Sequence, residues 1–431
     1  MTRRWSAGQL CIGVFVFLWL PILYRYGYRA PLAAQNDFAS FYLSARAVLE
    51  GGVSPYDVAG LRALGAQLGL TEWVFPFLYP PPSLLPFLPL GFFSHRAAVA
   101  LLSVVSQGAL LGSAWLVLRR VLRLPAPGTE LVSLACVVYF AAFDPIVETL
   151  QLGQTNLVIL ACLAAVWCLA REGRGAWLGG VCLALACLLK IYFAPLLLVF
   201  LLRRRFRMVA VAVGALAALT LAAAWLLPAG VWSSWLGEIA PTGSYGESPR
   251  GLFSPTDPGN QSVAGFIARL FLGDSAPLAG FAGWCVPLTW LAAAAVAGSS
   301  TAAIGVSLRR TDSPEAFDRE LSVALLAIYL IAPFSWEHHL CVLLPAALLC
   351  LRDVLGGDSL PRAPRLALLA GLAVLAWEVP IGAPFMKHGW SVVLTSSKLA
   401  AVGGLWLYFL RESLRSAPSS ERLGLPTRSA T

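Results

Sequence analysis

Charge is scarce in this chain, since only 12% of its 431 residues are Asp, Glu, Lys or Arg. Histidine is scarcer still, at four residues, while 58% of the residues are hydrophobic and the mean hydropathy is +0.74. A soluble globular protein has roughly twice this share of charged residues. The composition therefore excludes an ordinary soluble enzyme and predicts an all-α integral membrane protein.

Several signatures of cytosolic chemistry are also missing. The sequence has no phosphate-binding P-loop, no GxSxG nucleophile elbow, no HExxH zinc motif and no Rossmann glycine pattern. Its nine cysteines form no CxxC pair, so we interpret them as packing residues and predict neither a disulfide framework nor a metal site. An enzyme built this way would use a substrate that arrives within the membrane or from outside, with no cofactor.

The long apolar runs predict about twelve transmembrane helices. Apolar runs of this kind suit helices crossing a hydrocarbon core of about 30 Å, although some are short for that span. The predicted helices cover residues 6–24, 97–118, 131–147, 155–170, 176–189, 191–202, 208–227, 281–307, 321–334, 339–351, 365–381 and 391–410.

Arginine placement sets the predicted orientation. With both termini in the cytoplasm, 21 of the 31 Lys and Arg residues fall in internal connections. This satisfies the positive-inside rule, so the net charge of +9 reflects topology and no nucleic-acid partner is expected. The first apolar run is interpreted as a retained signal anchor, with a cleaved signal peptide as the alternative. The expected location is the inner (plasma) membrane.

One apolar stretch does not fit a spanning helix. Six prolines lie between Phe75 and Leu90, and each costs about 3 kcal/mol inside a helix. A span here would also invert every later loop. We therefore predict a membrane-dipping segment on the external side. The short pair 176–189 and 191–202 is predicted to form a hairpin around Lys190.

The resulting organisation is one transmembrane domain, 1–415, followed by a cytoplasmic tail, 416–431, expected to be disordered. Two large external loops, 25–96 and 228–280, carry juxtamembrane helices and are where function is expected.

Few residues in this scheme are able to carry chemistry. Asp37 precedes an amphipathic run, where it suits a helix N-cap or a general base at the external face. Lys190 suits a snorkelling lysine or a fixed cation for a lipid-linked phosphate. Glu337, His338 and His339 suit interfacial anchoring or binding of a polar head group. A polar turn at 148–156, containing Gln154 and Asn156, and a second cluster of Asn260, Gln261 and Arg269 suit helix capping or sugar binding.

Several short motifs together resemble the glycosyltransferase-C superfamily and, within it, glycosyltransferase family 87, the polyprenyl-phosphate-mannose-dependent mannosyltransferase-like group. They lie in order over residues 35–340: Asp37-Phe-Ala-Ser-Phe-Tyr, Gly51–Asp57 with Pro55-Tyr56, Tyr79-Pro-Pro-Pro, Gly153-Gln-Thr-Asn156, Gly179–Lys190, Gly259-Asn-Gln-Ser262 and Ser335-Trp-Glu-His-His339.

The resemblance implies a glycosyltransferase-C-like helical bundle that transfers a hexose, with mannose expected, from a polyprenyl-phosphate donor to a lipid or glycan acceptor with inversion. Asp37 would be the general base. Lys190, His338 and His339 would face the donor phosphate and the acceptor, and Glu337, Tyr56, Tyr79, Gln154, Asn156, Asn260, Gln261 and Arg269 would complete the site. The first loop lacks the paired acidic residues of other families in the superfamily, so no metal is expected. A multispan transporter or flippase of a lipid or glycolipid is the alternative function.

Overall fold

The computed structural model describes residues 6–25, 36–70, 74–75, 77–124, 129–248, 254–272, 283–357, 360–377 and 391–415. Within these ranges every regular element is a helix. The predicted disordered tail, 416–431, and the end of the predicted helix 365–381 lie outside the described residues. The α-helices are α1 Ala7–Ile22, α2 Asn36–Glu50, α3 Val58–Gln67, α4 His95–Trp115, α5 Glu130–Ala141, α6 Asp144–Leu152, α7 Asn156–Arg171, α8 Ala176–Leu189, α9 Leu196–Leu202, α10 Phe206–Leu226, α11 Ala229–Ser234, α12 Val263–Leu272, α13 Cys285–Arg310, α14 Pro314–Ile331, α15 Leu344–Gly356, α16 Arg362–Ala376, α17 Val392–Thr395 and α18 Ser397–Leu414.

Local sequence signals explain where several helices begin and end. The Ser6 hydroxyl accepts the Gln9 amide while the Gln9 side chain accepts the Ser6 amide, which is a capping box at the start of α1. Ser313 caps α14, whose first residue is Pro314. At the end of α6, Gly153 takes the left-handed conformation, with φ of 67°. This turn directs the chain back into the bundle as α7.

Six described helical segments are long and apolar enough to cross a membrane, which supports the prediction of a helical membrane protein. They are Ala7–Arg25, His95–Val121, Glu130–Leu152, Phe206–Leu226, Cys285–Arg310 and Glu337–Gly356. Their surfaces differ in exposure: the Glu337–Gly356 segment is central and mostly buried, whereas α10 exposes Trp225 and Leu221. Large exposed apolar side chains on such helices are suited to contact with lipid.

The bundle is built on two neighbouring helix groups. In one, α7 packs against α4 and α8, and α8 packs against α10; in the other, α14 packs against α13 and α18, and α18 packs against α16. A β-carbon on Gly180 of α8 would lie 2.7 Å from the Met208 carbonyl oxygen of α10. This glycine therefore allows the close approach of the two helices.

Several stretches differ from the predicted secondary structure; among them, the predicted helix 131–147 is divided into α5 and α6. The expected polar turn at 148–156 is mostly helix, because α6 runs to Leu152 and only 153–155 form the turn. The expected single helix 391–410 breaks at Ser396 between α17 and α18. The segment after Lys190 forms a 3₁₀ helix, Ile191–Phe193, before α9, because Pro195 cannot donate a backbone hydrogen bond within a continuous helix. The break at Lys190 itself is as predicted, since α8 ends at Leu189.

The proline-rich stretch contains no long helix in its described part. It forms two 3₁₀ helices, Pro81–Leu84 and Leu88–Phe92. The first is buried, and its Ser83 hydroxyl donates to the Leu188 carbonyl near the end of α8. This segment therefore packs against the end of α8, next to Lys190.

Candidate active site

Asp37 lies in the first turn of a largely buried helix. Since α2 begins at Asn36, Asp37 belongs to the helix and does not precede it in a loop as the sequence suggested. The Phe41 ring stacks on Phe87 with centroids 4.5 Å apart, and the Tyr42 hydroxyl donates to the Phe93 carbonyl at 3.0 Å. Asp37 itself is half-buried. The proline-rich segment thus fixes a helix whose first turn presents a reachable carboxylate.

Gln154 joins Asp37 to the turn between α6 and α7. Its amide nitrogen Nε2 donates to Asp37 Oδ2 at 2.7 Å. Gln154 also interacts with the Tyr79 hydroxyl, and burial together with the Asp37 carboxylate raises the pKa of that phenol. The Tyr56 hydroxyl donates to the Tyr79 carbonyl at 2.9 Å. Tyr56 therefore positions Tyr79, which lies beside Asp37 and Gln154.

Lys190 is the cation of this cluster. It follows α8, is 2% exposed, and its Nζ has no hydrogen-bond partner among the described residues. The Asp37 carboxylate acts on it electrostatically, and the Tyr192 ring centroid is 5.8 Å from Nζ. The buried Tyr192 hydroxyl is likewise without a hydrogen bond to any described group. A buried ammonium that lacks a hydrogen bond is costly, so the site suits an anionic ligand.

The histidine pair lies on a separate segment, close to α6 and α7. A 3₁₀ helix, Glu337–Leu343, carries both imidazoles. The His338 carbonyl accepts from Thr149 Oγ1 and from Asn156 Nδ2, each at 3.2 Å. These bonds tie the histidines to α6 and α7. Asn156 therefore positions the histidine segment through its backbone.

The two imidazoles face different neighbours. His338 Nδ1 lies 3.5 Å from Glu148 Oε1, and the imidazole interacts electrostatically with Asp37 and Lys190. The His339 ring lies 5.8 Å from the Tyr192 ring and meets the His338 ring edge-on. Asp37, Lys190 and His338 are thus brought together from three distant parts of the sequence. Imidazole and ammonium groups at such a site are able to stabilise negative charge on a leaving phosphate.

Asn260, Gln261 and Arg269 form a second cluster, whose hydrogen bonds go to loops and helix ends. Gln261 Nε2 donates to the Thr395 carbonyl at 2.8 Å, and Gln261 Oε1 accepts from the Leu399 amide at 3.2 Å. Arg269 donates to the Ser396 hydroxyl at 2.7 Å, and Asn260 Oδ1 accepts from the Ser335 amide at 3.1 Å. The cluster therefore holds the start of α18 against the segment that leads to Glu337.

Lys398 is the residue of the site that sequence reasoning missed. It is fully buried on α18, and its Nζ donates to Glu337 Oε2 at 2.7 Å. The sequence predicted one transmembrane helix over 391–410 and gave this lysine no role. A lysine inside a predicted span is costly, and that cost was the signal that could have identified it.

No group of three His, Cys, Asp or Glu residues suited to a metal ion occurs in the described part of the chain. The site combines the half-buried Asp37 carboxylate, the buried Lys190 ammonium, two imidazoles and several amide and phenol groups, with Glu148 and the Lys398–Glu337 pair beside them. This combination is able to accept a proton from a hydroxyl group while stabilising an anion nearby.

Comparison with known proteins gives this geometry a context. Residues 77–333 match the family model described as glycosyltransferase family 87. One relative is the polyprenol-phosphate-mannose-dependent alpha-(1-2)-phosphatidylinositol mannoside mannosyltransferase of Mycobacterium tuberculosis, 27% identical over 88% of this chain and 82% of the relative. The protein of the same name from Mycolicibacterium smegmatis is 29% identical over 80% of this chain and 74% of its own length.

A shorter similarity extends to another transferase. The alpha-(1->3)-arabinofuranosyltransferase of Mycobacterium tuberculosis is 29% identical over 145 residues, one third of each chain. Asp37, the His338-His339 pair and Lys398 lie outside the segment matched by the family model, but the structure brings Asp37 and His338 to Gln154 and Lys190, which lie inside it. Because the model matches more than half of the chain, the protein belongs to glycosyltransferase family 87.

Proposed function

We propose that the protein transfers mannose from a polyprenyl-phosphate carrier to a lipid or glycan acceptor, with inversion, and that Asp37 is the general base. The observation that carries this proposal is the placement of Asp37 beside Lys190 and His338 in one half-buried cluster. The first two similar proteins are named for a polyprenol-phosphate-mannose donor and a phosphatidylinositol mannoside acceptor. Family membership favours the transferase over the transporter or flippase.

The proposed chemistry is a single displacement. The acceptor hydroxyl loses its proton to the Asp37 carboxylate as its oxygen attacks the anomeric carbon, and the bond from that carbon to the phosphate oxygen breaks. The phosphate leaves as an anion and needs no proton from the protein. Lys190 and His338 stabilise its growing charge, and Gln154 holds the carboxylate in place.

Several of the remaining predicted site residues border the Asp37 carboxylate or position the residues that do. Tyr79 borders the carboxylate, Tyr56 positions Tyr79, and Asn156 positions His338. We assign His339 and Glu337 to the binding of the two substrates. Asn260, Gln261 and Arg269 act through the backbone that they hold.

A lipid substrate also suits the surface of the bundle. An open groove of about 620 Å³ lies between α16 and α18 and is lined almost wholly by apolar side chains. One end includes Ser397, which adjoins Lys398 in the chain, and the other includes Arg411. The groove supports the proposal because it offers space for the hydrocarbon chain of a lipid substrate, and one of its ends lies next to Lys398 of the site.

We further propose the topology that this reaction needs. The chain forms one domain, 1–415, of about twelve membrane-spanning helices in the plasma (inner) membrane, with cytoplasmic termini and the Asp37 cluster at the external face. The shorter helices α7, α8 and α9, together with α14, α16 and α18, are candidates for the spans beyond the six long ones. Support comes from the alternation of arginine-rich connections with the loops that carry the site.

The experiment that tests this function compares donors. Purified protein in proteoliposomes is given a phosphatidylinositol mannoside acceptor with either polyprenyl-phosphate mannose or a guanosine-diphosphate mannose. We expect a new glycosidic product only with the lipid-linked donor. Transfer from the nucleotide sugar, or translocation of the lipid without a glycosidic product, would refute the proposal.

A further inference from the structure

The part of the site around Glu337 is acidic. Glu337, on the 3₁₀ helix that carries the histidines, interacts electrostatically with Glu148 and Asp144, and the cation paired with it is Lys398. Glu148 in turn reaches His338 at 3.5 Å. The Lys190 side thus suits a phosphate anion, whereas the Glu337 side suits a neutral group rich in hydroxyl donors.

Glu337 keeps one oxygen unused in this environment. Oε2 accepts from Lys398, while Oε1 is buried and has no hydrogen-bond partner within the described residues. Only 8% of Glu337 is exposed. A buried carboxylate oxygen without a donor carries a desolvation cost that a ligand hydroxyl would remove.

The geometry points to a hydroxyl-binding subsite at Glu337 Oε1, fixed by Lys398, for the sugar of the acceptor. This inference rests on the proposed function and adds a substrate group to it. Lys398 is a positioning residue, because it holds the carboxylate through Oε2 and leaves Oε1 for the ligand. Asp37 remains the proton acceptor.

The surrounding loop cluster is arranged to hold this pair. Gln261 bonds to both sides of the start of α18, at Thr395 and Leu399, and its backbone amide donates to the Ser335 carbonyl at 2.7 Å. Lys398 and Glu337 are therefore fixed by one set of buried amide bonds. Asn260, Gln261 and Arg269 thus contribute to the subsite indirectly, by holding the backbone on either side of it.

The test replaces the pair while avoiding an unpaired buried charge. In Glu337→Leu/Lys398→Met both partners become apolar, so the fold is spared the cost of one isolated ion. Binding of a phosphatidylinositol mannoside without donor, and KM for acceptor and donor during transfer, are then measured. We expect acceptor binding and acceptor KM to weaken by about 10- to 100-fold, as for loss of a hydrogen bond to a charged group, with donor KM unchanged.

A matched pair at the other end of the bundle provides the control. Arg203 and Glu320 are also buried and lie 2.6 Å apart, so Glu320→Leu/Arg203→Met should leave acceptor KM unchanged. Glu337→Gln, which keeps the shape of the side chain, should weaken acceptor binding in the same direction. Unchanged acceptor binding in the Glu337→Leu/Lys398→Met protein or in Glu337→Gln would overturn the subsite. Acceptor binding is read without turnover, so failure of the proposed transfer reaction would be seen separately.

Discussion

Buried charges are arranged differently at the two ends of the helix bundle, the arginine-rich end and the end that carries Asp37. At the arginine-rich end, Arg171 lies 3.1 Å from Asp318 and Arg203 bonds to Glu320. At the Asp37 end, Lys398 is paired with Glu337, but Lys190 Nζ and the Tyr192 hydroxyl are buried without a hydrogen bond to any described residue. Buried charges that stabilise a fold are paired. The difference indicates that the first end maintains the fold and that the second is prepared for a ligand.

The largest expected difference between the two ends is the side of the membrane that each one faces. Glu50 of α2 and Arg174 are both exposed, and eight of the nine native cysteines are buried. We expect Glu50→Cys to react with an impermeant maleimide in intact spheroplasts and Arg174→Cys to react only after permeabilisation, an all-or-none difference. Labelling of both from one side would contradict the topology.

The next largest effect concerns the carboxylate itself. Asp37→Asn keeps the size of the side chain and removes the base, so we expect transfer to fall by about 10²- to 10⁴-fold. Glu50→Gln is the matched control on the same helix, because its surface pair with Arg46 contributes at most about 1 kcal/mol. Rates of mannose transfer at equal amounts of folded protein provide the measurement. A rate near that of the wild type for Asp37→Asn would remove Asp37 from the mechanism.

A change at the arginine-rich end should affect stability instead. Arg203→Met leaves Glu320 buried and unpaired, which costs about 3–5 kcal/mol. We expect a lower melting temperature in detergent and an unchanged rate per folded molecule. Loss of turnover with normal stability would show that this end also acts in the reaction.

The smallest expected effect concerns the contact between α8, the helix that precedes Lys190, and α10. Gly180→Ala would force α8 away from Met208 and Val211 and should cost about 1–3 kcal/mol. Gly214→Ala on α10 meets no atom within 4 Å and should be neutral or slightly stabilising. Thermal unfolding of the two variants compares them directly, and equal losses would show that this contact does not hold the helices together.

Most helices were predictable because their signals are local. Long apolar runs ended by arginines located α4, α8 and α10 to within a few residues, and the prolines correctly argued against a long helix in the described part of 75–90. The break at Ser396 and the 3₁₀ start of the predicted helix 191–202 were missed, since apolar periodicity does not reveal where a helix stops inside an apolar run.

The site was only partly predictable. Asp37, Lys190 and His338 stand out because charge and imidazole are rare in this chain, and the structure brings them together. The roles of Tyr56 and Asn156 as positioning residues depend on hydrogen bonds to the backbone of distant segments, which no spacing in the sequence encodes. Lys398 was hidden in the same way, because its partner Glu337 lies 61 residues away.

The most direct test of the contrast between the two ends is the response to Lys190→Met. Since Lys190 Nζ is buried without a hydrogen bond to the described residues, an apolar replacement of similar length should leave the melting temperature unchanged or higher. Mannose transfer should fall by about 10²- to 10³-fold, as for removal of a group that stabilises a developing negative charge. A variant that loses stability but transfers mannose at the normal rate per folded molecule would contradict the account.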